Sequence, residues 1–218
     1  MTRSSQERSR FATALLVPAF LVLALVAGAP PVVAAEPAVG RVVQQEGEAR
    51  AQSDGHIRPL GLGAAVFSRD RIETGEGGRL KIEFADHSLI VLGSDTHVFV
   101  ADYAVSGSDR RIGAILSLLS GIIRAVVAAP GGHFDVSSQA AVASARSTEW
   151  LMEADGGKSA IFAAAGSVFV QSVGTNSLVL LQPGEGTDVA LDRSPTAPKA
   201  WGKARVESFR ARVSLAGE

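Results

Sequence analysis

The sequence predicts an all-β domain, built as a short-strand β-solenoid or sandwich, followed by a C-terminal α-helix. Three observations predict this class. Glycine supplies 23 of the 218 residues, above the usual ~7%, and the glycines are spread evenly between short Val/Ile/Leu runs. Those runs recur roughly every ten residues, the spacing of sandwiches, barrels and solenoids. Their succession leaves no room for crossover helices, which excludes a parallel α/β sheet.

Residues 1–35 open with Arg3, Arg8 and Arg10, followed by an uncharged stretch from Phe11 to Ala35. Pro30 and Pro31 break it, and Val33-Ala34-Ala35 places small residues for cleavage before Glu36. This is the layout of a secretory signal peptide. The alternative is an uncleaved anchor in the inner membrane, because the apolar heart is just long enough to span a bilayer. The expected location is therefore periplasmic or secreted, with membrane contact only through an uncleaved leader.

The β domain is expected over residues 36–191, with strands near 40–45, 48–52, 57–60 and 71–74. Arg79-Leu80-Lys81-Ile82-Glu83-Phe84 alternates polar and apolar, the pattern of a half-buried strand. A turn at Asp86-His87-Ser88 leads to Leu89–Leu92, too apolar to have a wet face, and Gly93-Ser94-Asp95 leads to His97–Val100. Residues 104–111 read as a polar loop. Ile112–Leu119 and Ile122–Val127 read as two strands joined by a turn at Ser120-Gly121. Further strands fit 133–137, 140–145, 148–154, 158–163, 167–172, 177–181 and 186–191.

Residues 192–199 form a Pro/Ser linker, and residues 200–216 read as an amphipathic helix. Trp201, Arg205, Phe209 and Val213 lie four apart, which puts Trp201, Phe209 and Val213 on one face. Such a helix either caps the sheet or serves as a detachable arm that docks a partner or an anionic surface. On the second reading Trp201, Arg205 and Phe209 are the partner contacts.

Composition narrows the function. With 21 basic and 22 acidic residues there is no excess positive field, so nucleic acid is not an expected partner. The absence of cysteine excludes disulfide scaffolds, thiolate zinc sites and cysteine nucleophiles. His56, His87, His97 and His133 fall in no metal-binding spacing. Only His87 and His97 could meet, on neighbouring strands, and turn histidines are the simpler reading. There is no nucleophile elbow and no phosphate-binding loop, and the carboxylates suggest no catalytic pair. Neither an enzyme nor a cofactor is expected. A glycan ligand would require exposed aromatics on a concave polar face, whereas most phenylalanines here sit inside apolar runs.

The order of short motifs resembles the FecR domain family. It runs from Gly40-Arg41-Val42 through Asp70-Arg71-Ile72-Glu73-Thr74-Gly75, Asp86-His87-Ser88, Gly121-Ile122-Ile123-Arg124-Ala125 and His133-Phe134-Asp135-Val136. It continues with Ala145-Arg146-Ser147-Thr148-Glu149-Trp150, Ala165-Gly166-Ser167-Val168 and Gln182-Pro183-Gly184-Glu185, so the likeness covers about residues 40–190. Thr74, Gly75, Asp86, Ser88, Arg146 and Thr148 are motif positions, read as turn chemistry, with Arg146 expected to pair with a carboxylate or cap carbonyls inside the fold. Three positions depart: Arg69, His87 and Ser147 stand where the family has glycine. Histidine tolerates positive φ better than most residues. Serine does not, so the loop at Ser147 is expected either to have negative φ or to have changed shape.

The resemblance implies an exported protein of envelope sensing or signalling that binds a protein or glycan partner. The family's best-known members relay a signal from a ligand-loaded outer-membrane transporter to a cytoplasmic segment that controls a sigma factor. Only ten residues precede the apolar run, too few for that segment. The other implied role is a structural envelope component that pairs through its β edges.

Overall fold

The computed structural model describes residues 36–106, 110–128 and 131–217. The expected leader at residues 1–35 lies outside them. Seventeen strands and one helix follow in order. They are β1 Gly40–Glu46, β2 Ala49–Ser53, β3 His56–Pro59, β4 Ala65–Val66, β5 Arg71–Thr74, β6 Arg79–Phe84, β7 Leu89–Leu92, β8 His97–Val105 and β9 Arg111–Val126. Then come β10 His133–Ser137, β11 Ala141–Ala145, β12 Glu149–Asp155, β13 Lys158–Ala165, β14 Val168–Ser172, β15 Leu178–Leu181, β16 Glu185–Ala190, β17 Lys199–Ala200 and α1 Lys203–Arg212.

The strands make two layers that share β9. One sheet runs β4-β1-β6-β7-β9-β12-β13-β16-β17. The other runs β3-β2-β5-β8-β9-β10-β11-β14-β15. We call them the first and second sheet. Every pairing is antiparallel except β9 with β10. From β10 onward the hairpins β10/β11, β12/β13, β14/β15 and β16/β17 alternate between the layers, each added outside the last. The inward side chains of both sheets form one core: Leu80, Ile82, Ile90, Leu92 and Ile123 meet Val98, Val100, Leu116, Leu118, Phe134 and Val136. This is an all-β, sandwich-like fold with a C-terminal helix. Strand β6 shows how directly pattern becomes burial, since its apolar residues are buried and its polar ones half-buried.

The expected turn at Ser120-Gly121 does not exist. The two apolar runs form a single sixteen-residue strand, β9. Residues up to Ser120 pair with β8 in the second sheet, and residues from Gly121 pair with β12 in the first. Gly121 has φ +95°, and a Cβ there would stand 2.5 Å from Thr96 Cα. Thr96 Oγ1 accepts from Ile122 N at 3.1 Å, fixing the bend. Only glycine combines that dihedral with that approach, so the chain changes sheets here without leaving the strand.

The C-terminal segment lies across the outer face of the first sheet. Trp201, Phe209, Val213 and Leu215 form a second apolar cluster with Val91, Ile122, Leu151, Ala160 and Phe162. The helix is shorter than the expected 200–216. Ala200 pairs with Glu185 in β17, Gly202 is extended, and the helix ends at Val213, whose N–H bonds to Arg210 O. Trp201 and Val213 therefore flank the helix and do not share its face. The expected linker is tied down as well, since Thr196 N donates to Asp188 O at 2.9 Å.

Candidate binding surface at the motif turns

Strand register brings most of the motif turns to one end of the sandwich. Val126 pairs with Leu89 and Glu149 in the first sheet. In the second sheet Ala145 pairs with Phe134 and Val168, and Val168 with Leu181. The turns at 86–88, 146–148, 166–167 and 182–185 thus emerge side by side.

Asp86 and Ser88 organise the first of them from inside. Asp86 accepts from Ser88 N at 3.0 Å, from Ser88 Oγ at 2.7 Å, from Tyr103 Oη and from Arg111 Nη1. Arg111 is fully buried. Its remaining donors reach Ser88 Oγ at 2.8 Å and Gly132 O at 3.0 Å. A buried cation is tolerated only when paired and hydrogen-bonded, and this one is both. Tyr103 stacks on Phe84 with ring centroids 4.2 Å apart. Burial first, then its hydrogen bond to Asp86, push the Tyr103 hydroxyl's pKa well above the ordinary value. Ser88 Oγ also accepts from Ala128 N at 3.0 Å, joining this turn to the chain leaving β9.

The next turns continue the row. Val127 N donates to Thr148 O at 2.9 Å. Thr148 Oγ1 donates to Arg146 O at 2.8 Å, closing its own turn, and reaches Ser167 O at 3.4 Å. Ser167 Oγ bonds Gln182 Oε1 at 3.2 Å, and Glu185 Oε2 accepts from Gln182 N at 2.9 Å.

Arg146 corrects one expectation. It lies on the surface, not inside the fold, and its guanidinium has no partner among the described residues. The turn beneath it is held by Thr148, so its side chain is free to meet something else. The three departures from glycine are also resolved. Arg69, His87 and Ser147 have φ of +67°, +64° and +51°. Each adopts the left-handed conformation that favours glycine despite its Cβ, so Ser147 does not have negative φ.

Thr74 and Gly75 sit at the opposite end. Thr74 Oγ1 donates to Gly93 O at 2.6 Å and accepts from Thr96 N at 2.9 Å, while Gly75 N donates to Glu48 O at 2.9 Å. Nearby, Glu73 accepts from Arg50 Nε at 2.8 Å. That hydrogen bond, aided by His97, holds its carboxyl below the usual range. At the motif end Glu83 is lowered by hydrogen bonds from His87 and then Arg41. His87 and His97 thus stand at opposite ends. Among the described residues no group of three or more His, Asp or Glu is placed to hold a metal ion.

Trp201, Arg205 and Phe209 come together, but on their own chain. Trp201 stacks on Phe162 at 5.3 Å and meets Phe209 edge-on at 4.9 Å. Arg205 lies 3.6 Å over the Trp201 ring and holds Asp188 with two hydrogen bonds. In this arrangement both rings are buried and the segment is a cap.

Arg111 escaped the sequence reading, which placed it in a polar loop. A register shift between Ala104 and Val105 skips Ile112, so Arg111 is out of step with the inward alternation of β9 and carries no periodic signal.

Comparison with known proteins matches residues 70–169 to the family described as FecR protein. That stretch is similar to a FecR domain. The matched FecR stretch starts just before β5 and ends within β14, narrower than the resemblance read from motifs; it includes Asp86, Ser88, Arg146 and Thr148 but not the C-terminal cap. Two crystal structures, at 2.50 and 1.65 Å, share the fold. Both are described as of a "putative anti-sigma factor" from Parabacteroides distasonis ATCC 8503. Each is 15% identical with a TM-score of 0.53, and the match covers 64% of this chain. It spans 63% and 64% of the length of those chains. No curated protein matches the chain.

Proposed function

We propose that this FecR-domain protein is an exported, non-enzymatic binding module of envelope signalling, and that its partner is a protein that docks on the motif turns. The FecR match over residues 70–169 supports the signalling role. The observation that carries the docking site is the row of turns from Asp86 to Glu185, whose first turn is fixed from within by Arg111 and which presents Arg146 without a partner among the described residues. A surface arginine on a rigid turn is suited to a carboxylate of the partner.

The aromatics favour a protein over a glycan. Trp150, Trp201, Tyr103, Phe84, Phe134, Phe162 and Phe209 are buried. Phe67 and Phe99 are half-buried beneath Arg58 and Arg71. Among the described residues only Phe169 is offered to solvent, so they build no stacking platform for sugar rings. Export is supported by the layout of residues 1–35. Among the described residues no helix is long and apolar enough to cross a membrane.

The test is site-specific photo-crosslinking in the source organism, with the crosslinker at position 87 or 147 beside Arg146, and at Lys203 as control. The expected result is a discrete protein adduct from the turns, lost on Arg146→Glu and absent from Lys203. Adducts from Lys203 alone, or saturable binding to cell-wall saccharide with none to protein, would overturn the reading. The second reading, a structural component that pairs through its β edges, is favoured by one observation, the free edge of β15.

A further inference from the structure

Each sheet has two edges, and three of the four are guarded. β4 and β17 are two residues long, and β3 carries His56 and Arg58 and ends in Pro59. Short strands, charge and proline are the usual devices against edge pairing. β15, four residues long, carries neither charge nor proline. Its sequence is Leu-Val-Leu-Leu, and the eleven residues from Gly174 to Gly184 contain no charge. Among the described residues its backbone pairs only with β14.

We infer that β15 is the seam of a homodimer, in which two copies of this chain join their second sheets by antiparallel β15–β15 pairing. The strand is self-complementary. Leu178 and Leu180 point outward and are 58% and 39% exposed, with Phe169 beside Leu180 on β14 at 49%. Pairing centred on Val179 sets Leu178 of one copy opposite Leu180 of the other, twice over, on one face. The two Phe169 rings flank this apolar strip. An isologous contact of this kind closes on itself.

Charge at the strand ends matches the same operator. Arg193 lies at the Ser177 end, where Ser172 Oγ donates to Arg193 O at 2.7 Å and Ser177 and Ser194 share a hydrogen bond at 2.9 Å. Glu185 lies at the Leu181 end, bound to Gln182 N. Among the described residues neither is in an ion pair. Antiparallel pairing brings the Arg193 end of each copy to the Glu185 end of the other. A foreign peptide would have no such reason to match both ends. The inference stands apart from the signalling reading and gives the edge-pairing reading a specific partner. Dimerisation is measured on purified protein and crosslinking at the turns in cells, so each can fail alone.

The experiment is sedimentation equilibrium of the protein purified from cells expressing the full chain, across the micromolar range. The native protein is expected to double in mass with concentration. Leu178→Lys/Leu180→Lys puts lysine against lysine across the seam and should sediment as monomer, as should Leu178→Glu/Leu180→Glu. Both sites are exposed, so each variant should keep the native melting temperature measured below the dimerisation range. Mixing the two variants should restore the doubled mass. A native protein that stays monomeric, a lysine variant that dimerises like native, or a mixture that stays monomeric would each overturn the proposal; the first would give the edge to a different protein.

Discussion

Gly186→Ala tests whether the C-terminal cap is part of the fold. Gly186 lies on β16 under Trp201, and a Cβ added there would come within 2.7 Å of Trp201 Cζ2 and closer still to Nε1. Trp201 cannot yield easily, since Phe162, Phe209 and Arg205 enclose it. Forcing extra carbon into a packed site costs about 1–3 kcal/mol, and complete expulsion of the ring approaches the ~3–5 kcal/mol of a Trp→Ala change. An intermediate loss of about 2–3 kcal/mol is expected. At about 2–4 °C per kcal/mol for a domain of this size, the melting temperature should fall by roughly 4–12 °C.

The same substitution in a Trp201→Ala background gives the decisive comparison. With the ring gone, the new methyl has room, and alanine in a strand costs less conformational entropy than glycine by roughly 0.5–1 kcal/mol. Gly186→Ala should then be neutral or slightly stabilising, leaving a coupling of about 2–4 kcal/mol in the double-mutant cycle. Urea denaturation of the four proteins measures it. If Gly186→Ala costs the same with and without the indole, Trp201 is not seated there and the cap is a detachable arm after all.

Ser147→Gly should stabilise the domain by about 0.5–1 kcal/mol: a left-handed L-residue costs ~1–2 kcal/mol, of which glycine's entropy returns ~0.5–1. Ser147→Ala, which keeps the Cβ, should give no gain in the same melts. Asp86→Ala strands the buried Arg111 charge and should cost about 3–5 kcal/mol, whereas Asp86→Ala/Arg111→Met should recover much of it, read by chemical denaturation. Tyr103 is the only tyrosine, and its pKa is raised by burial and Asp86. Its contribution is complete below the unfolded value near ~10 and lost above it, at up to ~1.4 kcal/mol per pH unit. Tyrosinate absorbance should therefore rise only as the chain unfolds, and Tyr103→Phe should flatten the alkaline loss. Ionisation near pH ~10 in an intact fold would refute the buried network.

What the sequence made legible was whatever repeats locally. The alternation of β6 and the hairpin turns are carried by neighbouring residues, and they stand where the pattern puts them. Contacts across the fold left no such trace. Gly121 reads as a turn because the feature that makes it a bend is Thr96, twenty-five residues earlier. Arg111 reads as a loop residue because a bulge hides its direction and its partner is Asp86 on another turn. Trp201 reads as a helical residue because four-residue spacing cannot reveal that β17 claims the start of the expected helix. Arg146 was legible as a motif position but not as a free one, since only the structure shows that Thr148 holds the turn without it.

The cap lies outside the FecR-matched stretch, yet it ties that stretch to both ends of the domain. Arg212 pairs with Glu153 on β12 at 2.6 Å, and Arg205 holds Asp188 on β16. Beyond the helix, Gln44 Nε2 donates to Ala216 O at 3.0 Å and Ala216 N donates to Glu46 Oε1 at 2.7 Å, reaching β1. One segment thus crosses the outer face of the first sheet from its late strands to its earliest one, over the apolar patch around Leu151 and Phe162. Among the described residues no equivalent segment crosses the second sheet, where Ile115, Leu119, Phe169, Leu178 and Leu180 remain exposed. The cap thus leaves the motif turns and the second sheet open to a partner. Loosening the cap with Trp201→Ala should weaken the fold without altering crosslinking beside Arg146, because among the motif turns the cap's backbone bonds reach only the one at 182–185 and the Arg146 turn is held by Thr148.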